Sequence, residues 1–319
     1  MDKAILFGDA CTYALRKGPR LSLFSEFKKL HWMYRNRMDA LIEEDYTCYE
    51  GIMANVEDTF GIDLTEKQIL EIGCGQLYPQ AHALAQKNEV HGIDLDIVLY
   101  NWSPILIAKL LLNNGIKRTL KTTIRKLLFD GEYKSKLSKR YGGDLVKKPQ
   151  FYRMNGEDLT FDDDYFDFIF SVTVFEHIED VDKCVSEIKR VLKPDGVFSI
   201  DINLFTGITG GHNLYGKHPA ETQIPPWDHL RQGLYPTNVY LNKLLLDDYK
   251  RIFRKHFSEV QFIENESTQF KDLLTDEIRQ ELSDYSEHEL LLDMVTVQGK
   301  KTVAEPVDQQ QLEFHKTGI

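Results

Sequence analysis

The stretch QILEIGCGQLYPQAHALA, residues 68–85, decides the fold of this chain. An apolar run at 69–72 ends in a turn that contains Gly73 and Gly75, and a helix-like pattern follows from Pro79. Proline suits the first turn of a helix, where an amide hydrogen would have no partner. A strand, a glycine turn and a helix in this order indicate an α/β protein whose ligand lies beyond the carboxyl ends of the strands.

Three residues around this turn indicate what kind of nucleotide it binds. The dinucleotide fingerprint GxGxxG requires a third glycine, but Tyr78 stands at that position. Glu71 lies just before the turn, where a carboxylate repels a pyrophosphate and attracts a cation. Asp94 ends the next apolar run, roughly 20 residues further on, a spacing that suits a ribose diol. The turn therefore favours a cationic nucleoside such as S-adenosylmethionine, and the alternative is a purely structural turn with a capping acid.

Strand-like and helix-like segments alternate beyond the turn. A helix pattern occupies 79–87, and an amphipathic helix pattern occupies 180–192. The predicted strands are 69–72, 90–95, 151–154, 165–172, 197–203, about 259–264 and about 290–298. Strands separated by helix-length segments imply βαβ units. We predict a Rossmann-like, doubly wound, mostly parallel seven-stranded α/β sheet with helices on both faces.

The same patterns divide the chain into regions. Residues 1–64 are predicted to form a helical N-terminal cap, 65–303 the main domain and 304–319 a flexible tail. Within the main domain, 97–150 is predicted to be a basic helical insertion after the second strand. An irregular substrate loop or lid is predicted at 204–250.

The net charge of −11 conceals a basic segment. Between Lys109 and Lys148 the chain has twelve lysines and arginines and three acidic residues. One interpretation is a solvated helical face, since charged runs usually lie on surfaces. The other is attraction of an anionic partner.

Cysteine usage and hydropathy predict where the chain is located. Its four cysteines form no CxxC pair, which argues against a disulfide framework or a zinc site and indicates a reducing compartment. The N-terminus lacks the apolar core of a signal peptide, and the most apolar run, 104–112, is too short for a membrane span. We predict a cytoplasmic protein.

Four ordered motifs carry a resemblance to a known family. They are ILEIGCG (69–75), HGIDLD (91–96), NGEDLTFDDDYFDFIFSVTVFEHIED (155–180) and EIKRVLKPDGVFSIDIN (187–203). Together they resemble the class I S-adenosylmethionine-dependent methyltransferases of the methyltransferase-11 type, over about residues 65–205. The resemblance implies S-adenosylmethionine as the cofactor.

The resemblance also implies which residues bind this cofactor. Those around the first two strands are expected at its methionine and ribose, and those around the third and fourth strands at its adenine and reactive end. The implied binding residues are Glu71, Gly73, Cys74, Gly75, Asp94, Leu95, Asn155, Gly156, Glu157, Ser171 and Val172.

Two places contain candidates for a catalytic base. His177 follows Glu176 after the fourth strand, where related ubiquinone-pathway O-methyltransferases have a Glu-His pair in a divalent-metal site. Those enzymes have another acid three residues earlier, where this chain has Thr173, so we expect no metal. The alternative for His177 is packing beside the cofactor.

The second place is the long connection at 207–233. Such irregular connections usually carry function, and histidine is suited to proton transfer near neutral pH. The predicted catalytic residues here are His212, His218, His229 and Asp228. The alternative is that these histidines are structural.

These observations predict an S-adenosylmethionine-dependent methyltransferase that acts on a hydroxyl of a saccharide or a glycosylated natural product. PWDHLR (226–231) resembles methyltransferases encoded with enzymes that build sugars and polysaccharides. The expected partner is a small molecule, anionic or carrier-linked. Two alternatives stay open: a nucleic-acid methyltransferase, which the few aromatic residues of the basic segment disfavour, and a non-catalytic cofactor-binding regulator.

Overall fold

The computed structural model describes residues 23–212, 224–235 and 239–302. The strands are β1 (Gln68–Ile72), β2 (Glu89–Asp94), β3 (Gln150–Arg153), β4 (Phe166–Val172), β5 (Leu192–Asn203), β6 (Glu259–Glu266) and β7 (Leu292–Lys300). The helices are α1 (Leu23–Asn36), α2 (Met38–Phe60), α3 (Pro79–Leu84), α4 (Pro104–Leu128), α5 (Asp130–Arg140), α6 (Val181–Val191), α7 (Leu246–His256), α8 (Asp276–Glu281) and α9 (Glu287–Leu291). The predicted tail at 304–319 lies outside these ranges.

The strands form one seven-stranded sheet in the order β3-β2-β1-β4-β5-β7-β6. β1 to β5 pair in parallel, whereas β7 is antiparallel to both β5 and β6. The predicted Rossmann-like, mostly parallel sheet is therefore confirmed. The strand order reverses between β1 and β4, whose ends lie side by side with Ile72 opposite Ser171. A crevice beyond the carboxyl ends of strands opens at such a reversal.

Apolar side chains cover both faces of the sheet, because a parallel sheet is buried on its two sides. On one face α2 and α3 pack against β1 and β4, with Ile52, Val56, Ala81, Phe168 and Phe170 in the core. On the other face α6 and α7 pack against β1, β4 and β5, with Leu70, Ile169, Val185, Ile188, Phe198 and Phe253 in the core. These two layers hold the carboxyl edge of the sheet in place.

The basic insertion consists of α4 and α5, and Gly115 interrupts the helical backbone of α4 with a φ of 76°. α5 packs against α1 and α2 in an apolar cluster that includes Tyr34, Ile42 and Tyr133. The acids of α2 neutralise part of the insertion, since Lys136 pairs with Asp39 at 2.6 Å and Arg140 with Glu43 at 2.7 Å. Its net charge therefore overstates its unpaired charge.

Hydropathy also constrains the helices. None of the helices in the described ranges is long and apolar enough to cross a membrane.

Candidate active site

The glycine turn adopts a backbone that few residues other than glycine accept. Gly73 and Gly75 have φ values of +78° and +62°, in the left-handed region. The amides of Gly73 and Cys74 both donate to the carbonyl of Ile93, at 2.9 and 3.0 Å. These bonds tie the turn after β1 to the end of β2.

Glu71 lies immediately before this turn and is 3% exposed. Its Oε2 atom is buried without a hydrogen-bond partner. Burial raises the pKa of Glu71 to about 8, and the nearby amide of Ala81 offsets this only in part. A buried carboxyl with a free oxygen beside an open turn suits a cationic ligand group.

Because the folded chain favours the protonated form of Glu71, we expect stability to fall as the pH rises. The pKa of Glu71 is about 8 against an ordinary value of 4.5, so the native state binds more protons between these values. This loss begins above pH 4.5, is complete near pH 8 and is on the order of a few kcal/mol. Glu71→Gln should flatten this part of the curve of unfolding free energy against pH, measured by urea denaturation. Equal slopes in the two proteins would contradict the expectation.

Asp94, at the end of β2, links the glycine turn to the loop that follows β2. Its Oδ2 accepts from the amide of Gly75 at 3.0 Å and its Oδ1 from the amide of Asp96 at 2.8 Å. Burial raises its pKa to about 6. Each carboxylate oxygen retains a further lone pair that a ribose hydroxyl can use. Leu95, the next residue, is exposed, and its carbonyl accepts from the Arg153 guanidinium at 3.0 Å.

Residues 155–157 form a tight loop after β3. The side chain of Asn155 accepts from the amide of Glu157 at 3.1 Å, and Glu157 accepts from the amide of Asp180 at 3.2 Å. Gly156 is buried, and a Cβ there would lie 3.1 Å from the sulfur of Cys184. The loop thus presents backbone and polar atoms at the edge while its glycine packs on α6.

The side chains of three predicted cofactor residues are engaged within the sheet instead. The sulfur of Cys74 lies against Gly92, where a Cβ would meet it at 2.9 Å. Ser171 is buried and donates its hydroxyl hydrogen to the Ile72 carbonyl at 2.9 Å. Val172 packs against the core under α2 and α3. Cys74 and Ser171 are buried, so only their backbones are left to contact a ligand, whereas Val172 is partly exposed.

A second group of side chains meets at the same edge, from the loops after β4 and β5. Glu176 and His177 belong to a short turn of 3₁₀-helix, Phe175–His177, and His212 belongs to the connection after β5. Each side chain has one atom of a kind that can ligate a metal, an imidazole nitrogen or a carboxylate oxygen, and these three atoms all lie within 4.8 Å of one another. The Nε2 atom of His212 is 3.5 Å from Oε1 of Glu176, and the two imidazole rings meet edge to face at 4.8 Å. We call these three residues the Glu-His-His cluster.

Burial sets the charge of this cluster. Neither oxygen of Glu176 makes a hydrogen bond of good geometry, although the amides of Glu176 itself and Asn203 lie nearby, and burial raises its pKa to about 8. Burial, with repulsion from the other histidines, lowers the pKa of His212 to about 4. Burial also lowers the pKa of His177. Both imidazoles are therefore neutral near pH 7 and have lone pairs to offer.

The structure gives structural roles to two predicted catalytic residues. Both oxygens of Asp228 accept backbone amides, from Leu234 at 3.2 Å and Tyr235 at 2.9 Å, so this buried acid closes its own loop. His229 bonds through Nε2 to the carbonyl of Phe205 at 2.8 Å, and its ring packs on Gly211. His218 lies outside the described residues. Of the three predicted loop residues within the described ranges, Asp228, His229 and His212, only His212 is among those that meet in the Glu-His-His cluster.

The sequence-based list of catalytic residues omits Glu176, although it is the most buried member of the cluster. Its adjacency to His177 after β4 is the signal that points to it. The strained backbone of His212, with a φ of +51°, is a second feature that only the structure reveals.

The sheet order, the glycine turn and the acid that ends β2 are the features with which α/β proteins bind nucleotides or nucleosides at the carboxyl edge of the sheet. Residues 116–200 match the family model described as "Methyltransferase domain", from within α4 to β5. The chain is an S-adenosylmethionine-dependent methyltransferase, an enzyme of the methyl-transferring class with S-adenosylmethionine as its cofactor.

Several solved structures are similar to this chain at low identity. YcgJ from Bacillus subtilis is 18% identical, with 75% of this chain and 94% of that chain covered and a TM-score of 0.41. Phosphoethanolamine N-methyltransferase 2 from Haemonchus contortus is 19% identical, with 81% and 53% covered and a TM-score of 0.44. An S-adenosylmethionine-dependent methyltransferase from Methanosarcina mazei is 14% identical, with 75% and 94% covered and a TM-score of 0.40. Likenesses of this degree specify neither substrate nor site residues. No curated protein gives a significant match.

Proposed function

We propose that this enzyme methylates a hydroxyl of a small polyhydroxylated acceptor, a saccharide or a glycosylated natural product. The Glu-His-His cluster carries this proposal, because a hydroxyl is a weak nucleophile unless a base removes its proton during attack, whereas a neutral amine can attack before it loses a proton. The neutral imidazoles of His177 and His212 are the groups at this edge that suit such a proton.

The cofactor is proposed to bind in the crevice through residues at the carboxyl ends of β1, β2, β3 and β4. The free oxygen of Glu71 suits the ammonium of the methionine part, and the backbone of residues 73–75 lines that part. Asp94, with Leu95 beside it, suits the ribose diol, and residues 155–157 the adenine. Val172 contributes its backbone near the reactive end. S-adenosylmethionine, when bound, supplies a methyl group that its sulfonium makes electrophilic.

Methyl transfer forms one bond, breaks another and releases the proton of the acceptor hydroxyl. The acceptor oxygen forms the new bond to the methyl carbon, the bond from that carbon to sulfur breaks, and its electron pair stays on sulfur. The hydroxyl proton leaves on the acceptor side, where the cluster lies. The protein contributes orientation and the exclusion of water.

Polar side chains around His212 support a polyhydroxylated acceptor. Asn203 lies 3.1 Å from the Nε2 atom of His212, and Thr209 donates to Asn203 at 3.2 Å. Asp293 accepts from the amide and the hydroxyl of Thr209, at 3.3 and 3.4 Å. Such a set of donors and acceptors suits sugar hydroxyls better than an apolar acceptor. The resemblance of residues 226–231 to sugar-pathway methyltransferases points to the same class.

The acceptor is further proposed to carry an anionic group. A cavity of about 1010 Å³ lies between the insertion and α3, and its lining contains four lysines, Lys126, Lys134, Lys139 and Lys148, against two acids, Asp130 and Asp144. The insertion also contacts the residue that follows the glycine turn, since the guanidinium of Arg125 donates to the carbonyl of Gln76 at 3.2 Å. Several cations around one cavity suit a phosphate or carboxylate.

Lys134 is the lysine whose loss should weaken an anionic acceptor most. It is half-buried, donates to the hydroxyl of Tyr78 at 2.5 Å, and has a pKa lowered to about 8 by burial and by repulsion from Lys126. Lys134→Ala should raise the KM for an anionic acceptor by about 10-fold or more without changing kcat. Lys136, on the same helix but paired with Asp39, is the control. Equal KM changes in the two variants would refute a role for the cavity.

The experiment that tests the function is an acceptor screen with purified enzyme and isotope-labelled S-adenosylmethionine. Sugars, sugar phosphates and glycosides are compared with amines, and products are identified by mass spectrometry as a gain of one methylene unit. We expect transfer to a hydroxyl oxygen. Transfer only to nitrogen, or only to RNA or DNA, would overturn the proposal. Cofactor binding without transfer to any acceptor would favour a regulatory protein.

A further inference from the structure

We propose that the Glu-His-His cluster binds a divalent first-row transition-metal cation, such as Zn²⁺, Mn²⁺, Fe²⁺ or Co²⁺, with Glu176, His177 and His212 as its ligands. This differs from the expectation based on Thr173, because the third ligand comes from the connection after β5 instead of from the loop after β4. The binding itself stands on the geometry of the cluster, and its chemical role rests on the proposed function.

The first observation is the orientation of His177. Its Nδ1 atom lies 2.7 Å from the carbonyl oxygen of Tyr240, and a carbonyl only accepts, so Nδ1 carries the hydrogen. The Nε2 atom of the neutral ring then has its lone pair free. Metal-binding histidines are typically held by such a bond from the other ring nitrogen to a carbonyl.

The second observation is the environment of Glu176. This side chain is 3% exposed, and both of its oxygens are buried without a hydrogen bond. A buried carboxyl without a partner costs stability, and a cation placed among it and two imidazoles removes that cost. In the described part of the chain, Glu176, His177 and His212 are the group whose ligand atoms converge in this way.

The third observation concerns His212 and its support. His212 has a φ of +51°, a strained backbone for a residue other than glycine, which its surroundings must hold in place. The amide of Asn203 lies 3.1 Å from its Nε2 atom and is bound by the hydroxyl of Thr209. Because a hydroxyl both donates and accepts, the amide keeps this bond when it rotates. In the rotated form its oxygen, instead of its nitrogen, faces the cation or a water bound to it.

The donor set decides the kind of cation. Two imidazole nitrogens and one carboxylate suit borderline transition metals, whereas Mg²⁺ and Ca²⁺ prefer oxygen ligands. Three protein ligands leave at least one coordination position open, as in catalytic zinc sites.

An open position gives the cation a role in methyl transfer. A hydroxyl bound to such a cation loses its proton far more readily than a free one. When the cation is bound, His177 and His212 would act as its ligands instead of as the base of the metal-free enzyme, and the proton of the acceptor would pass to water. Glu176 and His177 lie in the loop whose Val174 packs on Gly73, so the cation would lie close to the glycine turn.

Metal binding can be tested without any acceptor. We would strip the full-length protein with a chelator, titrate it with Co²⁺ and with Mn²⁺, and measure bound metal by equilibrium dialysis and the visible absorption of Co²⁺. We expect one ion per chain. Glu176→Gln and His212→Asn should each weaken binding by at least about 100-fold. Asparagine tolerates the left-handed backbone of position 212, so this variant should fold, which its thermal unfolding would verify.

The matched control is His288→Asn. His288 is an exposed histidine between Glu264 and Glu266, 2.6 Å from an oxygen of each, and so offers similar atoms on the surface. It should bind no essential ion, and its loss should leave the affinity for Co²⁺ unchanged. The proposal is overturned if the wild-type chain binds neither ion, if the cluster variants bind as tightly as wild type, or if His288→Asn abolishes binding.

A parallel assay separates this inference from the proposed function. If the screen finds a hydroxyl acceptor but stripped enzyme transfers methyl at the full rate, the function stands and the catalytic role of the cation is wrong. If one ion binds at the cluster but no hydroxyl is methylated, the metal site stands and the proposed acceptor class is wrong.

Discussion

Replacing Gly73 with alanine should lower the free energy of unfolding by about 2–5 kcal/mol and abolish measurable cofactor binding. The residue has a φ of +78°, so any Cβ adds backbone strain of about 1–2 kcal/mol. That Cβ would also lie 2.8 Å from Cγ1 of Val174 and closer still to Cγ2. The loop that contains Val174 would have to move away from the glycine turn. Urea unfolding and calorimetric titration with S-adenosylhomocysteine measure the two effects.

Gly75 provides the control for this variant. It has a similar φ of +62°, but a Cβ there meets nothing within 4 Å. Gly75→Ala should therefore show the strain alone, and the double variant Gly73→Ala/Val174→Ala should recover part of the stability lost in Gly73→Ala. Equal destabilisation by the two single alanine variants would mean that the contact with Val174 is unimportant.

The second large effect is expected for Asp94→Asn, which should weaken binding of S-adenosylhomocysteine by at least about 100-fold. The carboxylate accepts the amides of Gly75 and Asp96 and is proposed to accept ribose hydroxyls with its remaining lone pairs. An asparagine has a single oxygen, and its NH₂ group would face an amide donor. The ribose contacts and the shape of the turn would be lost together.

Asp167→Asn is the matched control for Asp94→Asn. Asp167 also accepts a backbone amide, from Gln68 at 2.8 Å, but it lies near the amino end of β4. Its substitution should lower stability and leave the affinity for S-adenosylhomocysteine unchanged. If both variants bound as wild type does, Asp94 would have no part in cofactor binding.

The sheet and the glycine turn could be predicted because the sequence features that indicate them are close together in the chain. The strand at Gln68–Ile72, the glycines after it and the acid at Asp94 follow one another in sequence, and strand–helix alternation implies the parallel order. The sequence could not predict that the side chain of Ser171 points into the sheet, towards the carbonyl of Ile72, instead of towards a ligand. β4 is buried on both faces, so its sequence has no polar–apolar alternation that would show which side chains face which layer.

The Glu-His-His cluster was harder to predict because its residues come from chain segments that are far apart in sequence. Three histidines in one connection looked equivalent, yet His212 meets Glu176 whereas His229 bonds to the carbonyl of Phe205. The charge of the insertion was similarly misleading, since Asp39 and Glu43 of α2 pair with two of its cations. Sequence counts charges, but only the fold determines which of them are paired.

The contact between Val174 and Gly73 has a consequence for how this enzyme can evolve. Most of the proposed cofactor contacts come from the loops after β1, β2 and β3, with Val172 at the end of β4, whereas the Glu-His-His cluster comes from the loops after β4 and β5. New acceptor specificities can therefore arise by mutation of the later loops while the earlier ones are inherited unchanged. Position 174 is an exception, because its side chain fills the space that glycine leaves at position 73. Lineages that diversify their acceptors should vary around this residue while its size stays constrained.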